Sequence, residues 1–371
     1  MPLVINEEQQ MLKESARDFL KEKAPISQLR QLRDDNDPLG YSPQLWAEMA
    51  EMGWAALTIL ESYGGLGFGF TGLGQILEET GRTLTASPLV STVLLGATAI
   101  EKGGNQMQKE AHLGAIASGE RLVALAHEET SFHQVAVSTT ALPNDDHYLL
   151  SGKKVFVLDG NIADELIVSA FSEGDQKTKL YLVNAKAAGV EITKVKMMDS
   201  RNAATLVLNN AKGELLGSYE GSQTLLEYVL DVGRIGLAAE MLGGVKEAFD
   251  RIIAYLKERK QFGVMIGSFQ ALQHRAAHMF CEIELCKSIV IKALQAIDSG
   301  NEDLAQLASL AKGKLGQTYK LVSNEGIQMF GGIGMTDDEE IGFFLKRARV
   351  AQQSLGDTNF HLDRLAKLKR Y

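Results

Sequence analysis

The chain has 371 residues, 45% of them hydrophobic and 23% charged, and a formal net charge of −9. That length exceeds one ordinary domain, and the composition excludes a disordered chain. The acidic balance excludes a nucleic-acid binder, and no apolar run reaches the roughly 18 residues of a membrane span. MPLVINEEQQ lacks the charged start and apolar core of a secretion signal. Cys281 and Cys286 fit neither a zinc knuckle nor a disulfide framework. A reduced, cytoplasmic setting with no membrane and no nucleic acid is therefore expected.

Residues 1–120 read as helical. EEQQMLKESARDFLKEKA sets Met11, Leu12, Ala16, Phe19 and Leu20 near helical spacing. SPQLWAEMAEMGW opens on Ser-Pro, a helix start, with Leu45, Met49 and Met52 on one face. Tyr63-Gly64-Gly65 ends that region in a turn. From about residue 121 the texture changes. LVALAHEE, YLLSGKKVFVLDG, DELIVSAF, KLYLVNAK, VEITKVKMM and ATLVLNN are short, β-branched or aromatic, and separated by Gly, Asn and Asp. They predict an antiparallel β unit over 121–220. From 221 the helical period returns, beginning with Leu225, Leu226, Val229, Leu230, Val232, Leu237 and Met241. Further stripes over 266–297, 302–330 and 338–352 predict a bundle of four helices in 221–371. The fold class is thus α+β, mostly α, in three parts.

Several short motifs carry chemistry. GFGFTG at 67–72 fits G-x-G-x-x-G, but no strand precedes it, helical segments follow, and Glu78 and Glu79 come too early for a ribose-binding acid. It reads as a glycine-rich connector. His274, His278 and Glu282 recur every four residues on one helix face, as half a bundle metal site would, but no second helix offers matching ligands, and a polar face is the plainer reading. RKQFG at 259–263 and QMFGGIG at 328–334 close two helices of one bundle. Arginine suits phosphate and bare glycine backbone can approach it, so both helix ends could serve one pyrophosphate.

RKQFGVMIGSFQALQHRAAHMF resembles the signature segment of the acyl-CoA dehydrogenases, and QMFGGIGMTDDEEIGFFLKRAR resembles their second signature. LWAEMAEMGWAALTILESYGG resembles their N-terminal turn, and the likeness runs in order from about residue 5 to 368. The resemblance implies an N-terminal helical domain, a middle β-barrel-like domain and a C-terminal four-helix bundle, with FAD at their junction and between subunits of a tetramer. It assigns Arg259, Phe262, Phe269 and Gln270 to the ADP part of the flavin. Gln328, Gly331, Gly332 and Gly334 would approach the partner chain's cofactor, and Thr358 would contact the ADP moiety. Asp231 and Arg234 in LDVGR match positions that hold the acyl-CoA. An electron-transferring flavoprotein is implied as electron acceptor.

α,β-Dehydrogenation of an acyl-CoA removes a proton beside the thioester and passes a hydride from the β-carbon to the flavin. The α-proton is weakly acidic, so a positioned base and enolate stabilisation are required. In this sequence Gly356-Asp357-Thr358 stands where most family members carry Glu-Gly-Thr, which puts Gly356 at the base position. The isovaleryl-type enzymes carry their glutamate just before the arginine of LDVGR, and that position is Gly233. The family's flavin loop, Thr-Glu-Pro-x-Ala-Gly-Ser-Asp, reads HEETSFHQ at 127–134, and its Trp-Ile-Thr reads Phe156-Val157-Leu158. Phe156 can stack on the isoalloxazine; Leu158 cannot donate a hydroxyl hydrogen bond; His127 is in place to substitute for a flavin contact.

Three explanations stay open. Asp357 is the base, shifted by one residue, although a cap or turn is the ordinary use of Asp beside Gly. Or the chain is one subunit of a heteromer whose partner supplies the base, as Gly-Asp-Thr resembles the small subunits of two-component dehydrogenases for pimeloyl-CoA or steroid side-chain thioesters. Or the fold serves another task. Two glycines in place of glutamates also predict extra volume beside the flavin, suited to a bulky acyl group.

Overall fold

A computed structural model describes residues 3–130, 133, 137–174, 176–217 and 222–371. Two compact units emerge: Met1–Gln31, Phe70–Thr85 and Arg234–Tyr371 form one, Leu32–Gly69 and Ala86–Gly233 the other. The helices are α1 (Glu7–Lys23), α2 (Ile26–Asp34), α3 (Pro43–Glu51), α4 (Phe70–Thr83), α5 (Thr98–Gly103), α6 (Gln106–Ala117), α7 (Ser222–Glu258), α8 (Gln270–Asp298), α9 (Leu304–Phe330), α10 (Ile341–Gln353) and α11 (Thr358–Lys369). The strands are β1 (Val123–Ala126), β2 (Thr140–Asn144), β3 (His147–Leu158), β4 (Glu165–Ser172), β5 (Lys177–Asn184), β6 (Val190–Lys196), β7 (Asn202–Leu215), β8 (Lys260–Gln261) and β9 (Val264–Met265). Among the described residues no helix is long and apolar enough to cross a membrane.

The first unit is the bundle. α9 packs on α8, α10 and α11, and α4 packs on α1 and α8. Asn6 starts α1 with a reciprocal cap: its side chain accepts from Gln9 N at 2.8 Å, and Gln9 accepts from Asn6 N. Glu78 and Glu79, on the buried side of α4, are neutralised by Lys13 and Lys246 and by Arg17 respectively. GFGFTG leads directly into α4, and the amides of Phe70 and Thr71 donate to the carboxylate of Asp298 at 2.7 and 2.9 Å. The helix end that would hold a pyrophosphate therefore already holds an anion of its own chain, and the glycine-rich stretch is a connector.

The second unit carries the sheet. β3 pairs antiparallel with β2 and β7, β7 with β5 and β6, and β5 with β4. β4 also meets β2, so β2, β3, β7, β5 and β4 close on themselves as a barrel does. Two pairings, β1–β4 and β2–β4, are parallel, which the alternation pattern alone does not reveal. Leu150, Val157, Leu166, Val168, Tyr181, Val183 and Leu206 fill the interior. A π-helical stretch, Leu89–Ala97, lies on β1, where Thr92 Oγ1 accepts from Val123 N at 3.0 Å.

Candidate active site

Apart from Gly334, the cofactor residues predicted over 259–334 sit where helix ends and turns leave them accessible. β8 and β9 form a hairpin whose two turn residues, Phe262 and Gly263, both have positive φ (54° and 80°). That geometry thrusts Phe262 outward, leaving it 90% exposed with its ring 6.2 Å from Phe269. Arg259 and Gln270, at the two ends of this hairpin segment, are exposed too. Tyr255 stacks on Phe330 at 4.2 Å and donates to Phe330 O at 3.2 Å, fastening the end of α7 to the end of α9. Gln328, Gly331 and Gly332 are exposed just there. Gly331 has φ +68, and a Cβ at Gly331 or Gly332 would meet nothing within 4 Å, so bare backbone faces open space. Gly334 is different: a Cβ there would lie 2.8 Å from Phe330 Cβ, so packing requires the glycine.

In the β unit, Phe156 sits at a register break between Lys154 and Val157, with φ +51. Such a φ is rare for an aromatic residue, and it turns the ring out of the strand to 52% exposure. His127 is tied down: Nδ1 lies 3.0 Å from Ser169 Oγ, and Lys154 Nζ donates to Ser169 Oγ at 3.1 Å. Lys154, fully buried, also pairs with Glu129 at 2.8 Å. Glu129 further accepts from the hydroxyls of Ser138 and Thr139, and against the opposing effect of burial these donors and Lys154 hold its carboxyl down to about 2. Within HEETSFHQ, Ser131, Phe132 and Gln134 lie outside the described residues.

The turn at the base position is built from behind. Asp357 is the N-cap of α11, its Oδ1 accepting from Phe360 N at 2.8 Å. Thr358 Oγ1 accepts from Gln352 Nε2 at 3.2 Å. Gly356 is buried with φ +108, and a Cβ there would meet Phe360 Cδ1 at 2.6 Å and His361 Nε2 at 2.7 Å. The expectation of extra volume at this glycine is therefore corrected: Phe360 and His361 already fill it. Arg234, 4% exposed, donates from Nε to Leu355 O at 3.1 Å and lies over the Phe360 ring at 5.5 Å. Asp231, one turn earlier on α7, is buried as well.

Lys312 and His361, which the sequence reading does not single out, complete this cluster. Lys312 Nζ donates to Gln352 O at 3.1 Å and to Gly356 O at 2.9 Å. His361 Nε2 lies 3.2 Å from Leu355 O, which can only accept, so Nε2 carries the hydrogen. Burial, with Lys312 and Arg234 nearby, pushes His361 down to about 2. The metal reading gains nothing: His274 and His278 are exposed, Glu282 pairs with Lys314, and Glu325 on α9 pairs with Arg275. Among the described residues no three His, Cys, Asp or Glu side chains converge on a metal position.

Comparison with known proteins gives the class and the family. The sequence model "Acyl-CoA dehydrogenase, N-terminal domain" matches residues 6–120, and "Acyl-CoA dehydrogenase, C-terminal domain" matches 220–368. The chain is 30% identical to "Probable acyl-CoA dehydrogenase YngJ" of Bacillus subtilis (strain 168), covering 98% of each. It is 27% identical to "Caffeyl-CoA reductase-Etf complex subunit CarC" of Acetobacterium woodii, covering 94% of each. Among solved structures, the "Tcur3481-Tcur3483 steroid ACAD", solved as a single-site variant, superposes with a TM-score of 0.90 at 31% identity over 98% of both chains. This chain belongs to the acyl-CoA dehydrogenase family: it is an FAD flavoprotein and an oxidoreductase acting on acyl-CoA. Within the bundle unit, the exposed ring of Phe262, the accessible Arg259 and the bare backbone at 331–332 have the chemistry that suits a phosphate-bearing ligand.

Proposed function

We propose that this chain is the base-lacking subunit of a heteromeric acyl-CoA dehydrogenase that oxidises a bulky, ring-bearing acyl thioester. One observation carries the reading: at Gly356 the backbone has φ +108, and Phe360 and His361 occupy the space a side chain would need. The other family position for a glutamate is Gly233. The likeness to a steroid dehydrogenase whose name joins two gene products supports both the second chain and the bulky substrate. The likeness to a subunit of an Etf complex supports an electron-transferring flavoprotein as acceptor.

In this reading the three-part division at 1–120, 121–220 and 221–371 is functional. FAD, when bound, supplies the oxidant for the β-hydride. Arg259 neutralises phosphate charge; Phe262, Phe269 and Gln270 flank the ADP part, with Thr358 beside it. Gln328, Gly331, Gly332 and Gly334 serve the partner chain's cofactor. Phe156 stacks on the ring system, and His127, fixed by Ser169, contacts it. Asp231 and Arg234 shape the acyl-CoA side, with Arg234 acting through the Leu355 carbonyl. Asp357 caps α11, and the partner provides the proton acceptor. A self-contained enzyme using Asp357 is the second reading, favoured by its place one residue beyond the base position.

Mass spectrometry of the intact assembly, purified from its own host through a tag on this chain, tests the proposal. A second family member bearing glutamate at either of the two usual positions is the expected companion. A homo-oligomer of this chain alone that turns over acyl-CoA would overturn it. Arg259→Ala should weaken FAD binding by about 1.5–3 kcal/mol, the size of one charge-assisted contact, as read by FAD titration of the stripped protein.

A further inference from the structure

Three basic or imidazole side chains bond carbonyls of the turn that runs from Gln352 to Thr358, and one of them is unusual. Lys312 lies mid-way along α9 and is 1% exposed. Buried lysines are costly unless their ammonium is neutralised or hydrogen-bonded. Among the described residues no carboxylate lies within bonding distance of Lys312; its Nζ donates to Gln352 O at 3.1 Å and Gly356 O at 2.9 Å. Those carbonyls lie on either side of Ser354 and Leu355, in the link of residues 354–357 between α10 and α11. Arg234 and His361 bond a further carbonyl of the turn, Leu355 O, from α7 and α11.

We infer that Lys312 is a positioning residue: through the Gln352 and Gly356 carbonyls it fixes where Asp357 and Thr358 sit, without touching substrate or cofactor. Arg234 grips the neighbouring Leu355 carbonyl, and Asp357 caps the first turn of α11. The groups facing Lys312 are Arg234 from α7, Arg347 from α10, and Asp357 with His361 from the start of α11; Arg347 is itself held by Glu240. Burial, with Arg234 and Arg347 adding to it, lowers Lys312 to about 7 while Asp357 opposes the shift. A turn that opens and hydrates this group takes up a proton at any pH between that value and the ordinary lysine range. The inference does not depend on which chain carries the base, since its test reads backbone protection and not turnover.

Hydrogen exchange of residues 354–361 in the whole assembly, compared between wild type and Lys312→Met, is the test. Methionine keeps the length and removes the donors along with the buried charge. The expected result is a split: about tenfold or more faster exchange in this turn, with the global unfolding midpoint unchanged or raised. Turn protection equal to wild type, or a loss shared evenly with α8 and α9, would overturn the inference. Should Lys312→Met fail to fold, the wild-type profile decides. Corrected for intrinsic exchange, opening of the turn should fall about tenfold per pH unit from pH 7 to 9. A flat profile would mean that the turn opens without releasing Lys312, and would overturn it as well.

Discussion

Replacing Gly356 by glutamate is expected to lower folding stability by about 2–6 kcal/mol and to leave the chain without a working base. Two costs add. A φ of +108 lies in the region that L side chains rarely adopt, which costs about 1–3 kcal/mol. The new Cβ would also press within 2.6 Å of Phe360 and 2.7 Å of His361, and forced repacking of that kind costs about 1–3 kcal/mol. Neither neighbour moves easily: Phe360 and His361 pack edge-to-face at 5.1 Å, Arg234 lies over Phe360, and Leu355 O holds His361. Urea denaturation of Gly356→Ala separates strain and contact from any effect of a new charge. A wild-type midpoint for the alanine variant, together with turnover gained by the glutamate variant, would show that the position is an open base site.

The second large effect is on acid stability. His361 is 0% exposed and stays neutral down to about pH 2 in the folded chain, against 6.5 when unfolded. Between those values the unfolded state binds a proton that the folded state does not, so stability is fully present above pH 6.5 and falls as pH drops below it. The slope is about 1.4 kcal/mol per pH unit, so wild type should lose about 2 kcal/mol more than His361→Leu between pH 6.5 and 5. That window lies above the carboxylate range, and the difference between the two proteins removes contributions from other histidines. Parallel stability curves would mean that His361 charges in place.

Much of the architecture is legible in the sequence because periodicity is local. The stripe beginning Leu225, Leu226, Val229 does become α7, and the alternation in KLYLVNAK does become β5. Ser42 acts as the helix cap that the Ser-Pro start suggests. What depends on distant residues is not legible. Nothing in GFGFTG announces that Asp298, more than two hundred positions later, closes the helix behind it. The parallel pairing of β1 with β4 is equally silent. At the candidate site, the sequence exposes the missing glutamate but misjudges the space. A glycine reads as a gap, whereas here its positive φ brings the start of α11 close enough for Phe360 and His361 to fill it. Lys312 in LAKGKLG looks like any helical lysine, because its burial depends on α10 and α11 packing over α9.

In the proposed function the proton acceptor lies on another chain. Asparagine caps a helix as well as aspartate does, so Asp357→Asn removes a base and leaves α11 in place. The decisive measurement is the acyl-CoA-dependent dye-reduction rate of the assembly purified from its host, with and without that substitution. Turnover within about twofold of wild type is the predicted result, an activation change well under 1 kcal/mol. A fall of several orders of magnitude, with FAD still bound, would make Asp357 the base and contradict the claim.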